Sequence, residues 1–504
     1  MRITMKKYIL NRIMRSLVSV VLVTALTYTI VYTLVPTSLI FKQDPNYNKM
    51  TTTPDKKVAY ENLTFQRMGY VNYFSSKELK DNASKVDSSV TTEATSANKA
   101  IYEKYIDSLG NGWQLKRFPT SKQFYAIRNI PIYERVWNFF SNLVVIDHPW
   151  KIQDKDNPKL ARYIRLEKDK SVGWSLVGSG TKHKYLLYTN GKFPYLHQNF
   201  VTLNLGTSYP TYSNIPVLQV ISQGQGRTAL QDVTFPSGVT KKSSVDIYSR
   251  SYKNPKSLDD ITKVNYGKGD SYTKTINNYV DPSMIHNSFV IGFFGVMFSY
   301  IVGLPLGLFM ARFKNTYFDR FSTATMTFML ALPSIAVIYV VRFLGGMAGL
   351  PDSFPMLGAS DPKSYILPAL ILGILNIPTT VIWFRRYLVD LQASDWVRFA
   401  RSKGLSESEI YRGHLFKNAM VPIVSGVPAS IILAIGGATL TETVFAFPGM
   451  GKMLIDSIKS ANNSMIVGLT FIFTVLSIVS LLLGDIVMTL VDPRIKLSTK
   501  KGGK

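Results

Sequence analysis

Side chains able to do covalent or metal chemistry are thinly spread along this 504-residue chain, and cysteine is absent. That removes disulfides, thiolate metal sites and thiol nucleophiles together. His148, His183 and His197 are scattered without metal-pair spacing, so each reads as an ordinary surface or core histidine. Gly224-Gln-Gly226 looks like a piece of a phosphate loop, but no strand-then-helix context surrounds it, and it reads as a turn. Gly449-Met-Gly-Lys452 lacks the spacing and the following Ser or Thr that would close a loop around phosphates. Nucleotide hydrolysis is therefore not expected within this chain.

The next candidates are polar groups set in apolar surroundings. Asn376, Thr379 and Thr380 lie together in one apolar run, Thr439, Thr441 and Glu442 end another, and Arg342 sits near the end of a third. At membrane depth such groups are costly unless they face protein or water, so they read as the lining of a polar path. Glu442 has a second reading, in which it pairs with a base such as Lys452 to fix a loop. Arg342 reads equally as a gate or as a snorkelling anchor.

The elements carrying these residues are apolar runs of about 20 residues, the length that crosses a ~30 Å hydrocarbon core. Six are expected: Leu17–Pro36, Ser283–Ala311, Phe321–Val341, Ser364–Phe384, Asn418–Thr441 and Ser464–Gly484. The first lacks the small-residue cleavage site of a removable leader and reads as a retained span. Lys and Arg crowd the N-terminus, the loop with Arg312, Lys314 and Arg320, the segment Arg385–Lys417 and the tail. By the positive-inside rule all four lie on the cytoplasmic side, which puts both termini there and residues 37–282 outside. Prolines and glycines in the spans, among them Gly303, Pro305, Gly307, Pro333, Pro368, Pro378, Gly436 and Gly437, permit kinks and close helix approach.

The net charge of +26 divides evenly, since residues 37–282 hold 34 Lys and Arg against 21 Asp and Glu. The membrane half follows from the positive-inside rule and attraction to anionic lipid. The outer half shows no dense basic and aromatic stripe, so no nucleic-acid partner is expected. The lack of cysteine in a chain with so large an outer region fits a Gram-positive bacterium. In that region Ser84–Ala100 reads as loop or a loosely held helix. Lys184–Thr189, Phe200–Leu205 and Val217–Ile221 read as short strands, giving a mixed α and β domain.

The segment Ser394–Pro422 is the most informative. Ser394 can cap a helix whose first turn holds Asp395, and Gly404 can end it in the left-handed conformation. Ser406 and Glu409 then have capping-box spacing, so a second helix starts at once. A connector of roughly 30 residues is longer than a turn needs. Trp396, Val397, Phe399, Ala400, Leu405 and Ile410 lie among its charges and call for a partner.

This segment resembles the cytoplasmic signature loop of bacterial ABC importer permeases. Arg398, Phe399, Ala400 and Gly404 occupy the motif positions in the variant of the peptide branch, and Lys403, Leu405, Ser406 and Glu409 continue it. Glu442-Thr-Val-Phe-Ala-Phe-Pro-Gly-Met-Gly451 and Gly484–Ile495 resemble the oligopeptide permease B type, as do Ala331-Leu-Pro-Ser334 and Leu205-Gly-Thr-Ser208 less distinctively. Between Thr37 and Pro282 only islands match, including Ala126-Ile-Arg and Pro131–Leu143, as in the enlarged streptococcal permeases.

The resemblance implies an α-helical polytopic membrane protein with six transmembrane helices of type I ABC importer permease fold. A mixed α/β extracytoplasmic domain would be inserted between its first and second spans. The expected division is 1–36 for the N-terminus and first span, 37–282 for the outer domain, 283–496 for the core with the coupling segment 394–418, and 497–504 for the tail. Implied partners are a second homologous permease, two ATPase subunits that bind ATP and magnesium, a lipid-anchored extracellular peptide-binding protein, membrane lipid and an oligopeptide substrate, with no cofactor in this chain. The outer domain would dock the peptide-binding protein. Importers of dipeptides, nickel or other small cargo stay open, as does a membrane-anchored sensor or adhesin.

Overall fold

The fold is taken from a computed structural model that describes residues 2–110, 112–146, 149–150, 161–169, 173–179, 185–189, 200–224, 226–235, 237–251, 260–266 and 271–491. His148, His183, His197 and the tail beyond residue 491 lie outside the described residues.

Among the described residues, five helices are long and apolar enough to cross a bilayer: Leu10–Leu34, Met284–Arg312, Lys363–Gln392, Glu407–Val444 and Asn463–Met488. The span expected over Phe321–Val341, in which Pro333 permits a kink, is two helices, Tyr317–Ala331 and Ser334–Met347, bent by 105°. The cause is local. Leu332 precedes Pro333, whose ring disfavours helical backbone in the residue before it, and Leu332 is extended at φ −71°, ψ 136°.

Small residues set how closely the helices approach. A Cβ added to Gly373 would lie 2.8 Å from the Gly295 carbonyl oxygen, so the helices Met284–Arg312 and Lys363–Gln392 touch backbone to backbone there. Around this seam Ile291, Val296, Leu367, Ile371 and Leu372 form one apolar core with Ala434, Phe445 and Phe447. A second core joins Ala311, Phe384 and Leu388 to Val397, Ala400, Ile410, Tyr411, Leu415 and Ala419.

The single outer domain read from the sequence is divided. One compact unit comprises Met1–Val136, Gly206–Ile221 and Met284–Lys504; the other comprises Trp137–Leu205 and Ser222–Ser283. In the first unit, Phe124–Asn129 is the middle of a three-stranded antiparallel sheet between Val71–Phe74 and Trp113–Arg117. Helices Ser76–Ala83 and Ser96–Ser108 cover it through Leu79, Ala83, Tyr102 and Ile106. The second unit contains a five-stranded antiparallel sheet in the order Ser271–Asn277, Val245–Ser251, Tyr185–Thr189, Gly173–Gly178, Ile164–Asp169. It also holds two two-stranded ribbons, one of which pairs Val144–Ile146 with Val201–Leu203.

The strand expected at Val217–Ile221 is a helix, Val217–Ser222. Val217, Val220 and Ile221 are all fully buried, and their i, i+3, i+4 spacing suits one helix face better than the alternation of a strand. The segment Gly206–Thr211 docks on the start of the last span. Asn462, itself fully buried, donates to the Ser208 hydroxyl at 2.8 Å and to the Thr211 hydroxyl at 2.9 Å.

Asp44 anchors the chain as it leaves the first span. It caps the helix Pro45–Lys49 by accepting from the Asn46 amide at 2.8 Å, and it accepts the hydroxyls of Tyr60 and Tyr209. Burial alone would raise its pKa, but the bonds from Tyr209, Tyr60 and the two backbone amides outweigh burial and hold it below the ordinary aspartate value. A depressed folded pKa gives stability that is full above the unfolded value of about 3.9 and is lost as pH falls through the folded one. Thermal unfolding in detergent should therefore show that Asp44→Asn narrows the drop in Tm below about pH 4. An unchanged acid slope would mean that Asp44 carries no such linkage.

Candidate functional site

The segment after the fourth span is built by its own chain. The helix Asp395–Ser402 ends at Lys403, and Gly404 follows at φ +80°. The Gly404 amide donates to the Arg401 carbonyl at 3.0 Å and the Leu405 amide to the Ala400 carbonyl at 3.3 Å. These two bonds define a Schellman termination, which the left-handed Gly404 allows. Ser406 and Glu409 form the expected capping box, with each side chain bonded to the other residue's amide.

Two expectations are corrected. Ser394 occupies the N-cap position but makes no capping bond; its hydroxyl donates back to the Leu391 carbonyl at 2.5 Å. The second helix is not a plain α-helix either, because a π-helical stretch, Ile410–Leu415, joins the turn at Glu407–Glu409 to the helix Phe416–Gly437. Such stretches recur at functional places in helices.

The apolar residues of the segment divide into two groups. Val397, Ala400 and Ile410 are buried in the chain's own core and need no outside partner. Phe399 is 61% exposed, Trp396 and Leu405 are exposed to a lesser degree, and Lys403 Nζ lies 4.5 Å from the centre of the Phe399 ring. Arg398 points outward, 3.7 Å from the Asp395 carboxylate. The result is an aromatic and aliphatic knob with a basic rim, held on a rigid bend.

That bend is tied to two spans. Gln392 donates to the Ala311 carbonyl at 3.1 Å and to the Tyr411 hydroxyl at 2.5 Å, and Tyr411 donates to the same carbonyl at 3.2 Å. Close by, Arg385 grips Asp319 through two bonds of 2.5 and 2.6 Å, and Asp319 also accepts from the Asn315 amide. The bend is thus joined by hydrogen bonds to the second and fourth spans, and the Arg385–Asp319 pair joins the fourth to the third. Gln392, Tyr411, Asp319 and Arg385 escaped the sequence reading. Their only signal was polarity beside the ends of apolar runs.

At the other end of the fifth span, Glu442 is fully buried. Its carboxylate accepts from the Ser288 hydroxyl at 2.6 Å and from the Lys452 amide at 2.9 Å. Lys452 supplies its backbone, not its ammonium group, which pairs with Asp456. Glu442 thus clasps the loop Phe445–Gly451 to the second span. Gly449 must be glycine, because a Cβ there would lie 2.2 Å from the Glu442 carboxyl carbon. Arg342 fastens the same loop, donating to the Val444 carbonyl at 3.0 Å and approaching Asp352 at 3.8 Å.

The polar residues of the fourth span are also largely occupied. Asn376 donates to the Leu372 carbonyl at 2.7 Å and Thr380 to the Asn376 carbonyl at 3.1 Å, while the Thr380 methyl group packs against Gly303. Thr379 is exposed. Thr439 donates to the Gly436 carbonyl at 2.7 Å beside Gly451. Of the seven path candidates, Thr379 has the most open side chain, Thr441 is buried, and Glu442 and Arg342 are bound into the loop. Glu442→Ala should strand the Ser288 hydroxyl and the Lys452 amide in a buried place, at about 1–3 kcal/mol for each group. A fall in Tm larger than that for Thr379→Ala would show it, and equal Tm values would contradict the clasp.

A set of apolar spans, one of them broken, with a rigid knob offered on a capped helical bend defines a membrane transport component. Residues 303–497 match the family described as the inner membrane component of binding-protein-dependent transport systems. The chain is 64% identical over 500 residues to the oligopeptide transport system permease protein AmiC of Streptococcus pneumoniae, covering 99% of this chain and all of that one. It belongs to this family of transport permeases. It also aligns at 29% identity with the peptidoglycan transport system permease YejB of Agrobacterium fabrum, over 46% of this chain and 68% of that one. The dipeptide transport system permease DppB of Bacillus subtilis is 28% identical, over 42% and 68%.

Proposed function

We propose that this chain is the membrane permease of an ATP-driven importer of oligopeptides, forming half of the path with a second, homologous permease. The observation that carries the cargo is the 64% identity to an oligopeptide permease along its whole length, outer region included. The relatives near 28% identity match less than half of this chain and bear names for other cargo, so a partial match of that kind does not set the substrate.

In this reading both termini and the knob face the cytoplasm, and two separate ATPase subunits hold ATP and magnesium. One of them receives Phe399 and Leu405, with Arg398, Lys403 and Ser406 at the rim. Closure of the ATPases moves the bend, and the ties at Ala311, Gln392, Tyr411, Asp319 and Arg385 carry that movement to the spans. Alternating access follows if the spans have two packed arrangements. Thr379, with Asn376 and Thr380 behind it, faces the path, while the Glu442 loop, Thr439 and Arg342 shape its outer mouth. A lipid-anchored peptide-binding protein delivers cargo to the region 37–282.

The test is uptake of labelled peptides in a strain lacking this chain. Loss of uptake for peptides of four or more residues, restored by the gene in trans, supports the reading. Uptake that survives the deletion, or a loss confined to dipeptides, contradicts it.

A further inference from the structure

The helix Ile132–Ser141 is turned the wrong way for water. Its outward residues include Tyr133 and, one turn along, Trp137, exposed by 74% and 71%. Its charged residue Arg135 points inward instead, donating to the Ile130 carbonyl at 2.7 Å and the Tyr70 carbonyl at 3.1 Å, with its guanidinium 4.5 Å from the centre of the Tyr70 ring. A surface helix in water ordinarily presents charge outward and aromatics inward. Glu134 pairs with Arg128 and holds the helix against rotation about its axis.

The position of Arg135 says what covers the aromatic face. Tyr70 accepts a bond of 2.6 Å from Asn463, the first residue of the last span, and its ring centre lies 5.1 Å from that of Tyr32 in the first span. Tyr32 in turn lies 3.4 Å from the Ser464 hydroxyl. Arg135 therefore fixes this helix one side chain away from the point where two spans leave the bilayer. The first span itself carries exposed apolar side chains at Leu26, Ile30 and Leu34, with Leu34 lying two residues past Tyr32.

We propose that the helix Ile132–Ser141 lies in the lipid headgroup layer and inserts Tyr133 and Trp137 among the upper acyl chains. Tyr and Trp suit that depth, since each has an apolar body and a polar tip. The helix acts as an interfacial anchor. The inference rests on the bundle spanning a bilayer and is independent of the cargo.

The absence of cysteine makes the test direct. Tyr133→Cys, Trp137→Cys and, as controls, Asn138→Cys on the same helix and Ser108→Cys on another would each carry a nitroxide in the full chain. The proteins are reconstituted in vesicles of phosphatidylcholine and phosphatidylglycerol, with and without the other transport subunits. Collision with oxygen relative to a water-soluble nickel chelate should be several-fold higher at 133 and 137 than at 138 and 108 in both preparations. Nickel access at 133 and 137 equal to that at 108 would overturn the proposal in favour of water. Exclusion of both reagents there only when the other subunits are present would overturn it in favour of a protein contact. A Tyr133→Phe, Trp137→Phe double variant, labelled at 138, checks that the helix remains in place when the aromatics are altered conservatively.

Discussion

Replacing Gly404 with valine should abolish most transport while leaving membrane insertion intact. Gly404 stands at φ +80°, where a β-carbon costs roughly 1–2 kcal/mol and a β-branched residue more. The space around it within this chain is open, with nothing within 4 Å of an added Cβ. The penalty therefore falls on the backbone turn and on whatever docks there, not on the chain's own packing. Set against a coupling contact, that cost corresponds to a roughly 5- to 30-fold loss of productive engagement. Asparagine tolerates the left-handed region better, so activity should follow the order glycine, asparagine, alanine, valine. Uptake rates normalised to the amount of inserted protein would read this series, and a flat series would show that the bend is not used.

Asp319→Ala should be the most destabilising single change in the membrane core. Asp319 is buried, and its two bonds to Arg385 are among the shortest at this end of the bundle. Removing Asp319 leaves Arg385 uncompensated; the roughly 3–5 kcal/mol of a fully buried pair is an upper bound here because the Arg385 side chain is 23% exposed, whereas replacing both with apolar residues is far milder. Thermal unfolding in detergent should thus rank Asp319→Ala below the double variant Asp319→Leu, Arg385→Leu. The reverse ranking would mean that the pair is solvated and contributes little. Because the pair joins the start of the bent third span to the fourth, the single variant should also uncouple ATP hydrolysis from uptake.

These two sites differ in how far they could be read from the sequence. The bend at Gly404 was legible because its causes are local: a capping box, a glycine four residues after an alanine, and an amphipathic turn. Five of the six spans were legible for the same reason, each being a continuous apolar run. The break at Leu332 was signalled by Pro333 but hidden by the apolar residues on both sides, which look alike in a straight helix and a bent one. The Asp319 pair was not legible, since its partners are 66 residues apart and only the packing of spans brings them together. Glu442 was seen as either path lining or loop anchor, and the geometry favours the anchor because Ser288, far earlier in the chain, supplies the hydroxyl. Val217–Ser222 was misread because a run as short as Val-Leu-Gln-Val-Ile carries no clear period until its burial is known.

The division of the outer region had a similar cause. Residues that dock on the last span, such as Ser208 and Tyr70, sit in stretches that look like the polar loops around them. Nothing local distinguishes the part fused to the membrane bundle from the part that forms its own sheets.

The most direct measurement is a site-specific cross-link from the knob to its ATPase. Ser402→Cys is conservative and exposed, two residues before the bend at Gly404, in a chain with no other thiol. Together with a cysteine in the cleft of an ATPase subunit, it should give a disulfide-linked pair whose yield changes when ATP is bound, with uptake lost on oxidation and recovered on reduction. No cross-link from position 402, with uptake and ATPase co-purification unaffected by Gly404→Val, would contradict the assignment of this segment as the point of grip.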